Sequence, residues 1–195
     1  ATELTGDVLL FMLLAPLQFF NRYVGLKLSG ERPRLIALYR HIFTLVLLLW
    51  LLLQLAPIGY GANLGIHVLV YAVLTAISTL VLVRILYRIW RIETINADVL
   101  FGIIICYATV IVIGFELHAI NHQLHPGAYN FLPEMKHHSQ LLFLSMGSTT
   151  TLGGPITVNT TTAQLINYFQ SYVSQVFLVV FVSRMIGLHT GSNEG

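Results

Sequence analysis

Residues 139–157 read SQLLFLSMGSTTTLGGPIT, a short apolar segment followed directly by hydroxyl side chains, glycines and a proline. The apolar part, residues 141–146, is too short to cross a bilayer, because a transmembrane helix takes about 20 apolar residues. Glycines permit backbone angles that other residues avoid, and irregular backbone at membrane depth occurs only where it lines a cavity or is buried in protein. The order of these residues predicts a re-entrant half-helix followed by an extended strand that lines a pathway. The alternative is an external loop with a small surface helix.

The rest of the chain has the composition of a membrane protein. Of its 195 residues, 56% are hydrophobic and only 9% are charged, whereas an ordinary soluble domain has roughly 25% charged residues. We therefore predict an all-α polytopic membrane protein with a short N-terminal helix, a re-entrant pore helix with its filter loop, and four long transmembrane helices built on the apolar segments 35–56, 64–90, 99–117 and 163–188. Nucleic acid is not expected as a partner, because the formal net charge is only +2 and the basic residues form no patch.

This interpretation divides the chain into three parts. The N-terminal part, residues 1–94, is predicted to hold the spans 35–56 and 64–90 and a short helix over 8–26. The short helix is either a short or tilted span or a helix that lies along the interface. The second part, residues 95–189, is predicted to be a pore domain with an outer helix over 97–120, a pore helix over 138–149, a filter over 150–155 and an inner helix over 163–188. Residues 190–195 are expected to be a cytoplasmic tail.

The basic residues orient these spans. Excess positive charge is held on the cytoplasmic side of a membrane, and two basic clusters flank the first two long spans: Lys27, Arg32, Arg34 and Arg40, and then Arg84, Arg88 and Arg91. Residues 121–162 carry Lys136 as their only basic residue, so the re-entrant segment is expected outside and the C-terminus inside. We interpret the second cluster as cytoplasmic anchors, and a voltage sensor is the alternative.

A resemblance to a known family supports the pore interpretation. Residues 145–157 resemble the filter region of bacterial potassium channels, which are tetrameric pore-loop cation channels whose filter commonly reads T-T-L-G-Y-G-D-I-T; the matching residues are Thr150, Thr151, Leu152, Gly153, Ile156 and Thr157. The start of the family's outer helix resembles residues 95–107, and the end of its inner helix resembles Ser174, Gln175, Ser183, Arg184, Gly187, Leu188 and His189. The resemblance covers about half of the chain. It implies a homotetramer in the bilayer of the plasma membrane, an external pore loop, a permeant monovalent cation in the filter, and neither a catalysed reaction nor a resident cofactor.

The chain departs from this family inside the filter. Where the family has Gly-Tyr-Gly-Asp, this chain has Gly153, Gly154 and Pro155, so the tyrosine and the acidic residue are absent. Proline fixes its own φ and removes a hydrogen-bond donor, which changes the outer mouth. We therefore expect a weakly or atypically selective cation pathway whose filter consists of Thr150, Thr151, Leu152, Gly153, Gly154 and Pro155. A non-conducting channel-like subunit is an alternative.

The inner helix carries weaker candidates for the cavity and the gate. Ser171 and Ser174 are small residues in its middle, which line a cavity or allow close helix contact. Phe177 and Phe181 lie one turn apart and form either a hydrophobic constriction near the inner mouth or ordinary packing. Contact and packing are the simpler interpretations.

Histidines gather before the pore helix. Five of the eight fall between residues 118 and 138: His118, His122, His125, His137 and His138. On a helix the first three would share one face. Clustered imidazoles bind zinc or another metal, or titrate together near neutral pH, so modulation of the pore by metal or protons is one hypothesis and a solvated external turret is the other. The cluster also supports the runner-up function, a membrane metal-binding protein or metal transporter.

Glu116 is a separate candidate on the outer helix. A carboxylate at the end of an apolar span is costly unless it is paired or hydrated. We expect it to face the helix bundle, the filter surround or external water, with Lys136 or one of the histidines as its partner.

Overall fold

The computed structural model describes residues 60–92, 97–135, 137–154 and 156–191. These residues form helices α1 (Tyr60–Arg91), α2 (Ala97–Leu124), α3 (His137–Thr150) and α4 (Thr161–Gly191), with strand β1 (Tyr129–Asn130) before α3 and strand β2 (Thr157–Val158) after it. The helix predicted over 8–26, the span predicted over 35–56 and residues 192–195 of the predicted tail lie outside the described residues.

Three helices of the described part are long and apolar enough to cross a membrane. Their apolar stretches are Leu64–Arg91, Val99–Leu124 and Thr161–Gly187, of 28, 26 and 27 residues. At 1.5 Å per residue, such a helix is roughly 40 Å long, which exceeds the roughly 30 Å hydrocarbon core and allows it to tilt. The prediction of a helical membrane protein is confirmed to this extent. The fourth long span and the division into a pore domain and N-terminal helices stay predictions.

Local chemistry explains where the elements begin and end. Helix α2 ends at Leu124, directly before a His-Pro-Gly sequence whose proline cannot continue a helix. Thr160 caps α4, because its hydroxyl accepts the amide N–H of Ala163 (3.3 Å). The basic residues Arg88 and Arg91 occupy the last turn of α1, where positive charge is favourable.

Strands β1 and β2 form a short antiparallel ribbon on the side of the predicted outer mouth. Tyr129 pairs with Val158, and Asn130 pairs with Thr157. The amide of Asn159 donates to the Ala128 carbonyl (2.9 Å) and extends the pairing by one bond. The ribbon therefore joins the chain just before α3 to the chain just after the predicted filter.

Helix α3 is surrounded by its neighbours. Its residues Leu141 and Leu144 are buried in a cluster with Phe115 and Ala119 of α2 and Ala163 of α4. A second buried cluster packs the C-terminal halves of α1 and α4 against the N-terminal half of α2. Its residues are Val81, Ile85, Ile89, Val99, Cys106, Phe177 and Phe181. A 14-residue helix is about 21 Å long. Because this is too short to cross a bilayer, α3 has the length and the packing of the predicted half-helix.

Candidate functional site

The backbone after α3 adopts conformations that most residues avoid. Thr151 has φ of 61° and Gly153 has φ of 82°. Glycine tolerates such angles, but a β-branched residue with positive φ is an outlier. Strained backbone of this kind clusters at ligand sites, where the surrounding structure holds it in place.

This segment turns back along α3. The amide of Gly153 donates to the carbonyl of Gly147 (3.2 Å), and the amide of Thr151 donates to that of Ser148 (3.4 Å). A Cβ at position 147 would overlap the Gly153 carbonyl, and a Cβ at position 154 would lie 2.8 Å from the Leu144 side chain. Glycine is therefore required at 147 and at 154 for the segment to lie against the helix.

The predicted filter residues divide between the helix and this segment. Thr150 is the last residue of α3, so the helix runs one residue beyond the predicted 149, and its hydroxyl donates to the Met146 carbonyl (2.8 Å). Residues 151–154 follow the helix as an exposed segment, with the Leu152 side chain 87% exposed. Pro155 lies outside the described residues. Residues 151–154 of the predicted filter thus lie on the surface of the described part of the chain.

Gln170 of α4 binds α3 through its side-chain amide. Its amide nitrogen lies 2.9 Å from the Ser145 carbonyl, 2.7 Å from the Ser145 hydroxyl and 2.7 Å from the Thr149 hydroxyl. The amide rests on Gly114 of α2, where a Cβ would overlap it. The Ser145 hydroxyl itself donates to the Ile111 carbonyl of α2 (2.6 Å). Three helices therefore meet at one buried amide.

A second polar contact holds the end of α3. The Tyr107 hydroxyl of α2 donates to the carbonyl of Thr149 (2.9 Å). The Tyr107 ring also packs on Phe177 of α4, with ring centroids 6.0 Å apart. The helix end next to the exposed segment is thus fixed through both a carbonyl and a side chain of the same residue, Thr149.

The residues predicted to line the cavity or form the gate contact other residues of the same chain. Ser171 donates to the carbonyls of Ser148 (2.9 Å) and Asn167 (3.0 Å), and Ser148 donates to the Asn167 side chain. Ser174 is fully buried and donates to the Gln170 carbonyl (2.8 Å). Phe177 and Phe181 are buried against α2, with their ring centroids 4.5 Å apart. These contacts are those of packing residues, and a cavity or gate role for the four stays a prediction.

The histidines have three different environments. His118 is fully buried, His122 is half-buried and packs on Phe131 (4.9 Å between centroids), and His125 lies beyond the end of α2 and is exposed. His137 is exposed and stacks on Phe131 (4.1 Å), and its ring lies 5.5 Å from that of His122.

His138 is half-buried near Tyr71 and Phe115, with centroids 6.5 Å away in each case. No group of three or more His, Cys, Asp and Glu side chains within the described ranges is placed to hold a metal ion. The structure brings His122 and His137 together with His138 nearby, buries His118 on the other side of the Tyr129 contact, and leaves His125 exposed. Metal or proton modulation through this cluster stays a prediction.

The deeply buried histidine belongs to a polar chain that reaches the ribbon. Its Nδ1 lies 2.8 Å from the hydroxyl of Tyr129 in β1, and the Asn121 amide donates to the same hydroxyl (3.1 Å). Burial raises the pKa of the Tyr129 phenol to about 12, and the Asn121 hydrogen bond acts in the opposite direction. His118 therefore connects α2 to the ribbon.

Glu116 faces the helix bundle. It is fully buried, and its Oε2 accepts a hydrogen bond from the Ser78 hydroxyl of α1 (3.2 Å). Ser78 was not predicted as a partner, and Lys136 lies outside the described residues. The carboxylate thus connects α1 and α2 near the level of α3.

Arg184 connects the far end of α4 to α1. Its guanidinium donates to the carbonyls of Trp90 and Ile92, the latter at 2.9 Å, and lies 4.8 Å from the centroid of the Trp90 ring. These carbonyls are at the end of α1, where a helix leaves acceptors unpaired. The contact joins an N-terminal helix to the predicted inner helix.

No protein-family model, curated protein or solved structure matches the chain. Its site is therefore interpreted from its own residues. Sequence reasoning identified the segment after α3 from its glycines and hydroxyls but missed Gln170, Gly114 and Tyr129. A polar residue within an apolar span was the available signal for Gln170, since such residues face the protein interior.

Proposed function

We propose that this chain is one subunit of a homotetrameric pore that conducts cations across a membrane. The observation that carries the proposal is the segment 151–154, which is exposed, strained in its backbone and folded back on α3 between two membrane-spanning helices. Filters are built from backbone carbonyls and hydroxyls held by a surrounding scaffold. One subunit supplies only a part of such a ring, so copies must meet around an axis.

The direction of α3 favours a cation. The C-terminal end of a helix carries partial negative charge, and α3 ends at Thr150, directly before the exposed segment. The α3 residues near that end are Ser148, Thr149 and Thr150, with no ionisable side chain among them. In the proposed pore, this end faces the ion pathway and lowers the cost of removing water from a cation.

The proposed filter is atypical, and its selectivity is expected to be weak or altered. The sequence Thr-Leu-Gly-Gly-Pro lacks the tyrosine and the acidic residue of the bacterial potassium-channel filter that it resembles. We place the protein in the plasma membrane with the α3 side external and the C-terminus cytoplasmic, because Arg88 and Arg91 occupy the last turn of α1 and positive charge is held on the cytoplasmic side.

The test is ion flux into proteoliposomes that hold the purified protein, with potassium, sodium and chloride gradients compared. Gly153→Ala is the variant, because φ of 82° is strained for alanine. Gly127→Ala is the control, because a Cβ there would meet no atom within 4 Å. Cation flux in the wild type and in Gly127→Ala, but not in Gly153→Ala, supports the proposal. No flux of any ion, across pH and added zinc, would favour a membrane metal-binding protein, a metal transporter or a non-conducting subunit.

A further inference from the structure

Among the buried polar atoms without a hydrogen-bond partner in the described part of the chain, two belong to side chains that meet between α2 and α4. They are Nε2 of His118 and Oε1 of Gln170, on side chains that are 0% and 5% exposed. The two side chains face each other across the contact between α2 and α4, close enough to interact but without a hydrogen bond of ordinary geometry. Gln170 rests on Gly114, which lies one turn before His118 on the same helix. A buried polar group without a partner is costly, so each of these atoms requires one.

The neighbouring hydrogen bonds assign the proton on His118. The Asn121 amide nitrogen is only a donor, so the Tyr129 hydroxyl accepts from it, and among the described residues Nδ1 of His118 is the one group within reach that can accept the proton of this hydroxyl. Nδ1 is therefore the acceptor of a neutral imidazole. The proton of that imidazole then lies on Nε2, which makes Nε2 a donor.

The orientation of Gln170 is assigned in the same way. Its amide nitrogen faces the Ser145 carbonyl, which can only accept, and the hydroxyls of Ser145 and Thr149. Its oxygen is an acceptor without a donor among the described residues. The unpaired donor on His118 and the unpaired acceptor on Gln170 are chemically complementary.

We propose that His118 and Gln170 are positioning residues of the pore, joined by a hydrogen bond from Nε2–H to Oε1, directly or through one water molecule. This link completes a closed series of contacts around the exposed segment. Gln170 holds α3 before the segment, the ribbon holds β2 after it, and Tyr129 of the ribbon bonds to His118. The inference rests on the proposed function: in such a pore, the permeability to K+ relative to Na+ depends on this link.

The functional test measures the K+/Na+ permeability ratio from the reversal potential of the full-length protein in planar bilayers. Asparagine at 118 retains an acceptor near the Nδ1 position but loses the Nε2 donor, whereas the longer glutamine can place an N–H near Nε2. We expect His118→Asn and Gln170→Leu to change the ratio by about fivefold, the size of effect of one lost buried hydrogen bond. His118→Gln should stay closer to the wild type than His118→Asn. The control is Gln123→Leu, because Gln123 is half-buried in α2 and lies outside this series of contacts.

A second measurement does not require conduction. In ¹⁵N-histidine NMR of the protein in detergent, with the signal assigned by its loss in His118→Gln, His118 should be neutral with its proton on Nε2. Gln170→Leu should shift this signal, and Gln123→Leu should not. If the wild type carries no current, the proposed function fails while the NMR result still supports or refutes the link.

Three results would overturn the inference. The first is a proton on Nδ1 of His118, and the second is a His118 signal that Gln170→Leu leaves unchanged. The third is a conducting wild type whose permeability ratio is the same in His118→Asn and Gln170→Leu. If Gln170→Leu does not assemble, the comparison of His118→Asn with His118→Gln decides the functional test.

Discussion

Gly147 is one of the residues at which the fold leaves no space for a Cβ. An alanine there would overlap the Gly153 carbonyl, so the segment 151–154 would have to leave α3. We expect Gly147→Ala to reduce cation flux about tenfold. Overpacking destabilises the native arrangement by about 1–3 kcal/mol, and about 1.4 kcal/mol corresponds to a factor of ten in an equilibrium. Flux assays on proteoliposomes with equal protein content measure this.

The matched control is Gly65→Ala in α1. A Cβ at position 65 meets no atom within 4 Å, and replacing a helical glycine with alanine stabilises by up to about 1 kcal/mol. Flux should therefore be unchanged and thermal stability equal or higher. Normal flux in Gly147→Ala would show that the segment need not lie against α3 to conduct.

The raised pKa of Tyr129 predicts how the stability of the protein changes at alkaline pH. Its pKa is raised to about 12 in the folded protein by burial, against an ordinary value of 10.0. Below pH 10 the phenol is neutral in both the folded and the unfolded chain, and as the pH rises from 10 to 12 ionisation favours the unfolded chain. Thermal unfolding between pH 9 and pH 12 should show a steeper loss of stability in the wild type than in Tyr129→Phe. Parallel pH profiles of the two proteins would contradict this.

At the scale of elements, one guanidinium makes the polar contact between the ends of α1 and α4. Lysine at 184 keeps the charge but loses the fork of donors and the stacking on Trp90. We expect Arg184→Lys to lower the free energy of unfolding by about 1–2 kcal/mol, the scale of a hydrogen bond to a charged group. Thermal unfolding in detergent measures it, with Arg88→Lys as the control because Arg88 is exposed. Equal losses in both variants would show that the fork is not responsible.

The helices were the predictable elements. Long apolar runs identify α1, α2 and α4, and the structure has them as Tyr60–Arg91, Ala97–Leu124 and Thr161–Gly191 where spans over 64–90, 97–120 and 163–188 were predicted. The ribbon was not predictable, because strands of two residues are too short to show an alternating pattern. Gln170 was missed for a different reason. Its polar side chain in an apolar span indicates that it faces the protein interior, but its contacts lie on other helices, and no local spacing encodes which residues they are.

At the scale of the molecule, one face of α4 has no partner among the described residues. The buried residues of α4 point toward α2 and α3, and the opposite face is exposed and apolar: Leu165, Tyr168, Tyr172, Val176, Val179 and Ile186. Apolar faces of this size mark contacts with other chains or with lipid. The proposed assembly places this face near the axis that the subunits share.

Cysteine cross-linking tests this assembly. Cys106 is the only cysteine and is buried, so Cys106→Ala gives a background without thiols. In that background we expect Tyr172→Cys to form covalent dimers in membranes and Tyr87→Cys on α1 to form few, although both positions are exposed. Native mass spectrometry should give four chains per particle. A monomeric mass, or equal cross-linking at both positions, would contradict the assembly.

The ribbon has a consequence for how the protein can be rebuilt. Its paired strands hold residues 130 and 157 side by side, about 5 Å apart. The chain between these two residues therefore begins and ends at the same place in the fold. This arrangement is the one that allows an internal segment to be replaced, because the ends of the new segment have to meet only a short, fixed distance. In the proposed pore, exchange of α3 and the strained segment as one unit requires a replacement that keeps the contacts of Gln170 and Tyr107 with α3. Such an exchange is expected to change conduction while the two ends of the replaced segment stay where the ribbon holds them.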